Sequence, residues 1–110
     1  MLENERLPVL PRTERIILEL LVGGGKEMFG LELIEAAGGG LKRGSIYVTL
    51  QRMAQKGLVE SREEARPRPE IGIPRRMYWA TGFGARVLRA YEGAEASLAL
   101  GGANALGGQW

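Results

Sequence analysis

The chain has no cysteine, no histidine and no aspartate; all 13 of its acidic residues are glutamate. The missing cysteines exclude a disulfide and a thiol nucleophile, and with histidine absent too, any zinc site built from those ligands. The usual general base near neutral pH is also missing. Ser45, Ser61, Ser97, Thr13, Thr49 and Thr81 supply the aliphatic hydroxyls, and none has an imidazole to activate it. An enzyme is therefore the last of the readings, and no metal or cofactor is expected. Long apolar runs are lacking as well: Ile16-Ile17-Leu18 is interrupted by Glu19, far short of the roughly 20 residues of a membrane helix. The start, Met1-Leu-Glu-Asn-Glu-Arg6, is acidic and has no apolar stretch of the kind a signal peptide carries. The expected location is the cytoplasm, with no membrane partner.

What is present is a one-sided charge distribution. The net charge is +2, yet residues 42–76 hold nine basic residues and four glutamates, and the remainder holds six basic residues and nine glutamates. Basic charge gathered into one third of a chain suits a polyanion-facing surface, against the blander reading of a solvated helix and loop. At 110 residues the chain makes one domain, burying roughly two-thirds of the surface its unfolded form exposes.

Proline and glycine punctuate the rest. Residues 1–10 read as an extended arm. Pro11 fits the first turn of a first helix, which carries Ile16, Ile17, Leu20 and Leu21 and stops at Gly23-Gly24-Gly25. A second helix spans about Phe29 to Ala37 and breaks at Gly38-Gly39-Gly40. The third spans about Arg43 to Lys56, with Ile46, Tyr47, Leu50, Met53 and Ala54 on its apolar face and Val48, Thr49, Arg52, Gln55 and Lys56 largely outside it. Gly57 stands where a left-handed residue ends a helix, and Leu58 packs back on it. Val59 to Glu63 and Met77 to Ala80 read as paired strands. Three prolines and a glycine make about 64–76 between them an irregular hairpin tip. Thr81 is a fair N-cap for a last helix to about residue 100, and 101–110 reads as a flexible Gly- and Ala-rich tail.

This order defines the expected fold: mainly α with a small β-hairpin (α+β), a winged helix-turn-helix over 11–81 plus one C-terminal helix over 82–100. Such an arrangement places its third helix in a DNA groove. Lys42, Arg43 and Ser45 at that helix's start suit phosphate. Thr49 and Arg52 reach toward base edges, arginine on guanine being the commonest specific contact. Arg66, Arg68, Arg75 and Arg76 sit beside prolines that stiffen the wing, diluted by Glu64 and Glu70. Phe83, Val87, Tyr91, Ala94 and Leu98, with Leu88, form an apolar stripe suited to a dimer seam or to packing on the chain's own domain. The glycine clusters carry no nucleotide motif: Gly23-Gly-Gly25-Lys26 is followed by Glu27, and Gly82-Phe-Gly84 has Val87 where a dinucleotide fingerprint needs glycine.

Met28-Phe-Gly-Leu-Glu-Leu-Ile34, Gly44-Ser-Ile-Tyr47, Leu50, Met53, Lys56-Gly-Leu-Val59, Tyr78 and Thr81-Gly-Phe-Gly84 occur in an order that resembles the PadR family of bacterial winged-helix transcription regulators. The resemblance covers about residues 10–92. It implies a homodimeric repressor on double-stranded DNA, its third helix in the major groove and its hairpin tip on the backbone or in the minor groove. It also implies that Tyr47, which from its spacing alone reads equally as a core aromatic, lies on the DNA face. Dimerisation is implied through the C-terminal helix, often with help from the first. Two departures stand out. The Gly-Arg-x-x-Lys-like start of the second wing strand appears as Gly72-Ile-Pro-Arg-Arg76 in a long loop. One helix follows the wing, so the larger effector domain of longer members is not expected. Two alternatives remain: a protein–protein adaptor, and a multidrug sensor with Trp79 and Trp110 at an intersubunit pocket.

Overall fold

The computed structural model describes residues 7–64 and 75–107, with side chains through residue 98. The elements run α1 (Arg12–Gly24), β1 (Met28–Phe29), α2 (Gly30–Ala37), α3 (Ile46–Gln55), β2 (Val59–Glu63), β3 (Arg76–Ala80) and α4 (Gly82–Gly107). Three helices and a small antiparallel sheet form a winged helix, with α4 running on from it. Among the described residues no helix is long and apolar enough to cross a membrane.

Helix boundaries follow local chemistry. Pro11 precedes the first residue of α1, and its carbonyl accepts from the Arg15 N–H at 2.9 Å. α3 ends through Gly57 at φ 79°, in the left-handed region, and the Leu58 N–H returns to the Met53 carbonyl at 2.9 Å. Thr81 caps α4: its hydroxyl accepts from the Gly84 N–H at 2.8 Å and donates to the Gly57 carbonyl at 2.6 Å. One side chain thus joins the end of α3 to the start of α4.

The sheet order is β1-β3-β2. β2 and β3 pair as expected, with Ser61 opposite Tyr78. β1 was not expected: Met28 and Phe29 pair with Tyr78 and Met77. A two-residue strand has no periodicity of its own, and only β3 defines it. The core gathers Ile17, Leu18 and Leu21 of α1, Leu33 of α2, and Ile46, Leu50 and Met53 of α3. Leu58, Val59, Tyr78, Val87 and Leu88 complete its centre. Each large side chain fully removed from water contributes about 1.5–3 kcal/mol.

Four further expectations are corrected. α3 begins at Ile46, three residues beyond Arg43, because 43–45 form a turn. Its inward stripe is Ile46, Thr49, Leu50 and Met53. Thr49 is therefore buried, at 8 % exposure, while Tyr47 and Ala54 face outward. Steps of three and four along a 3.6-residue turn put 49 beside both 46 and 53, while 47 neighbours only 50 of the buried stripe. Val87 and Leu88, assigned to the dimer stripe, are buried in the protomer's own core. The stretch read as a flexible tail from 101 continues α4 to Gly107, where Ala and Leu between the glycines favour helix and no proline interrupts.

α1 and α4 are tied by Arg15, which pairs with Glu95 and, at 3.0 Å, with Glu19. The Arg15 guanidinium holds the Glu95 carboxyl below the usual carboxylate range. The arm is anchored as well: the Tyr91 hydroxyl donates to the Pro8 carbonyl at 2.7 Å, and Lys56 Nζ donates to the Val9 carbonyl at 2.8 Å.

Candidate nucleic-acid interface

Burying 46, 49, 50 and 53 turns the opposite side of α3 to solvent. Tyr47, Val48, Gln51, Arg52 and Gln55 are all exposed there, and Lys42, Arg43 and Ser45 are exposed in the turn before it. Among the described residues, Lys42, Arg43 and Arg52 form no ion pair with a carboxylate. Their charge faces outward uncompensated.

The wing behaves differently. Arg75 and Arg76 lie at the foot of β3, and each is held by its own hairpin. Arg75 pairs with Glu64 at 3.1 Å and stacks over the Phe29 ring, 3.8 Å from its centroid. Arg76 donates to the Ser61 hydroxyl at 3.0 Å and lies 3.9 Å from Glu63. Arg62 pairs with Glu27 at 2.6 Å. These neighbours fix the direction of the wing guanidiniums while diluting their charge. Arg66 and Arg68 lie outside the described residues.

Residues far apart in sequence meet between wing and helices. Phe29, Gly30 and Leu31 at the start of α2, Tyr47 of α3, and Arg75, Arg76 and Tyr78 of the wing line one groove of roughly 430 Å³. The Tyr47 ring rests on Gly30, where an added Cβ would meet the phenolic oxygen at 2.7 Å. Glycine thus seats the tyrosine on the outer surface, where half of it stays exposed. Tyr78 forms the buried side of the groove. Burial pushes its phenol above the ordinary range, against the opposing pull of Arg76. The groove offers a hydroxyl and two guanidiniums at the N-terminal end of a helix. That chemistry takes an anionic oxygen. The Glu32 carboxylate already accepts from the Phe29 N–H at 2.8 Å, so that donor is not available.

The groove was not legible in the sequence; the Tyr47 position was legible only through the family resemblance. Val48 and Gln55 were read as outside the apolar face but not as site residues, and Gln51 was not singled out; the 3.6-residue period places all three away from the buried stripe. Trp79, alternating with Tyr78 on β3, lines a separate cleft of roughly 790 Å³ with Leu21, Val22, Arg62 and Ala85. Trp110 lies outside the described residues. Of the proposed dimer stripe, Phe83, Ala94 and Leu98 are exposed, Leu98 by 75 %, and Tyr91 is half-buried.

A helix-turn-helix flanked by a three-stranded sheet, with the outer face of α3 free, defines a winged-helix protein. The chain belongs to the PadR-like family of transcriptional regulators, whose profile matches residues 17–90. Among solved structures it resembles a PadR family transcription regulator from Clostridium difficile at 22 % identity and a TM-score of 0.67. That match covers 87 % of this chain and 98 % of the other. A PadR family transcriptional regulator from Eggerthella lenta matches at 24 % identity, over 84 % of this chain and 81 % of the other, with a TM-score of 0.64. A PadR-like transcriptional regulator from Bacillus cereus matches at 26 % identity, over 86 % and 91 %, with a TM-score of 0.59. A search of curated proteins returns no match.

Proposed function

We propose that this regulator binds double-stranded DNA as a homodimer and acts as a repressor at an inverted-repeat operator. The observation that carries this reading is the two-sidedness of α3. Its apolar stripe anchors it in the core while Lys42, Arg43 and Arg52 are exposed and have no acidic partner among the described residues. In the complex, Lys42 and Arg43 each hold a phosphate beside the start of α3, and Tyr47, Arg75 and Arg76 together hold a third in the groove. Arg52 meets a base edge. Thr49, being buried, supports the helix from within and is no longer a candidate for base contact. The dimer forms through the exposed part of the stripe, Phe83, Ala94 and Leu98, because Val87 and Leu88 are already used. Two α3 helices then stand about one duplex turn apart, roughly 34 Å.

Selection of bound duplexes from a random pool tests this directly. The enriched sequence is an inverted repeat; enrichment of nothing, or of a single asymmetric half, contradicts the reading. On the selected duplex, Arg52→Ala weakens binding by about 1–3 kcal/mol and relaxes preference at one base pair per half-site. Arg75→Ala combined with Arg76→Ala weakens all duplexes alike. It also lowers the dependence of log affinity on log salt by about 0.9 per protomer, the share of one phosphate contact. An unchanged slope removes the wing from the interface.

A further inference from the structure

Val48 occupies the middle of the outward face of α3 and is 55 % exposed. Gln51, Arg52 and Gln55, three, four and seven residues on, share that face and are exposed too. Packing does not account for a valine there. The core contacts of α3 are made by the opposite stripe, and a β-branched side chain on an exposed helical position is a poorer helix former than alanine, glutamine or lysine. It is an apolar group set among polar ones, flanked by the exposed charge of Arg52 and the Lys42–Arg43 turn.

Resting on the DNA-binding reading above, we infer that Val48 is a specificity-determining residue whose isopropyl group seats on the C5-methyl of a thymine. In the major groove that methyl is the one apolar group that distinguishes a base pair, and every other edge feature is a hydrogen-bond donor or acceptor. Side chains four apart on a helix have Cβ atoms about 5–6 Å apart, and successive base pairs rise about 3.4 Å. The thymine therefore lies one or two steps from the guanine that Arg52 reads. Gln51, beside them, carries the amide that suits an adenine edge. Each half-site thus combines a guanine with a neighbouring A·T pair, the methyl of that pair being read by contact.

The test uses the full chain and the duplex enriched from a random pool. Each thymine is replaced in turn by deoxyuracil, which removes one methyl and leaves base pairing intact. At one thymine per half-site the wild type loses about fourfold in affinity, and about 16-fold when both half-sites are changed, the value of one buried methyl. Val48→Ala binds thymine and uracil duplexes equally, and binds the thymine duplex more weakly than the wild type does. Indifference of the wild type to every uracil substitution overturns the inference while leaving DNA binding intact. Retained thymine preference in Val48→Ala overturns it as well, since the methyl is then read elsewhere. Failure of any sequence to enrich removes both the inference and the reading beneath it.

Discussion

Gly84→Ala lowers the stability of the domain by about 2–5 kcal/mol, a loss of roughly 10–20 °C in Tm for a chain of this size. Gly84 lies in the first turn of α4, and a Cβ there would drive into the carbonyl of Leu58, with Leu18 Cδ2 at 3.2 Å on another side. That carbonyl cannot step aside without loss, because it accepts from the Thr81 N–H at 3.1 Å and from the Thr81 hydroxyl at 3.3 Å. Moving α4 instead breaks the bond from the Gly84 N–H to that hydroxyl, and each such bond contributes about 1 kcal/mol. Gly93 in the same helix is the control. A Cβ there meets nothing within 4 Å, so Gly93→Ala stabilises by up to about 1 kcal/mol through helix propensity. Thermal unfolding of the two variants decides the matter: Gly84→Ala melting within a few degrees of the wild type contradicts the close approach of α4 to the end of α3.

Lys56→Met costs about 3 kcal/mol by a different route. Glu14 of α1 is 1 % exposed; one of its oxygens meets Lys56 Nζ at 2.7 Å and the other has no partner among the described residues. Removing the ammonium leaves a buried carboxylate uncompensated, a change that costs about 3–5 kcal/mol where both partners are buried. Lys56 is 24 % exposed, so solvent screening puts the loss at the lower end. Lys56 also holds the Val9 carbonyl, so the arm is released in the same variant. Combining Lys56→Met with Glu14→Gln removes the stranded charge and recovers most of the loss. Chemical denaturation of the two single variants and the double closes the cycle; a double variant as unstable as the sum of the singles shows that the pair is not coupled.

The parts of the fold that were legible are those signalled by residues with local mechanisms. Pro11 opened α1, Gly57 closed α3 and so placed β2 directly after it at Val59–Glu63, and Thr81 capped α4. β1 escaped because its two residues form a strand only through pairing with β3. Thr49 was misplaced because a hydroxyl reads as outward and an aromatic at 47 reads as inward. The structure reverses both, since Gly30 leaves room for the Tyr47 ring on the surface. The C-terminal stripe divides for a similar reason: 87 and 88 share the periodicity of 83, 94 and 98, but the protomer's own core claims them. The groove between wing and helices depends on tertiary contacts across nearly 50 residues, and no spacing in the chain announces it.

DNA binding requires that the cationic outer side of α3 meet a nucleic-acid backbone. Anisotropy of a labelled duplex of random sequence, titrated at 50 and 200 mM salt, measures that. With Lys42, Arg43 and one wing arginine on phosphates in each of two protomers, affinity falls about 10³-fold between the two concentrations. Binding that is absent at 50 mM, or equal at both, contradicts the account and favours a protein-binding adaptor.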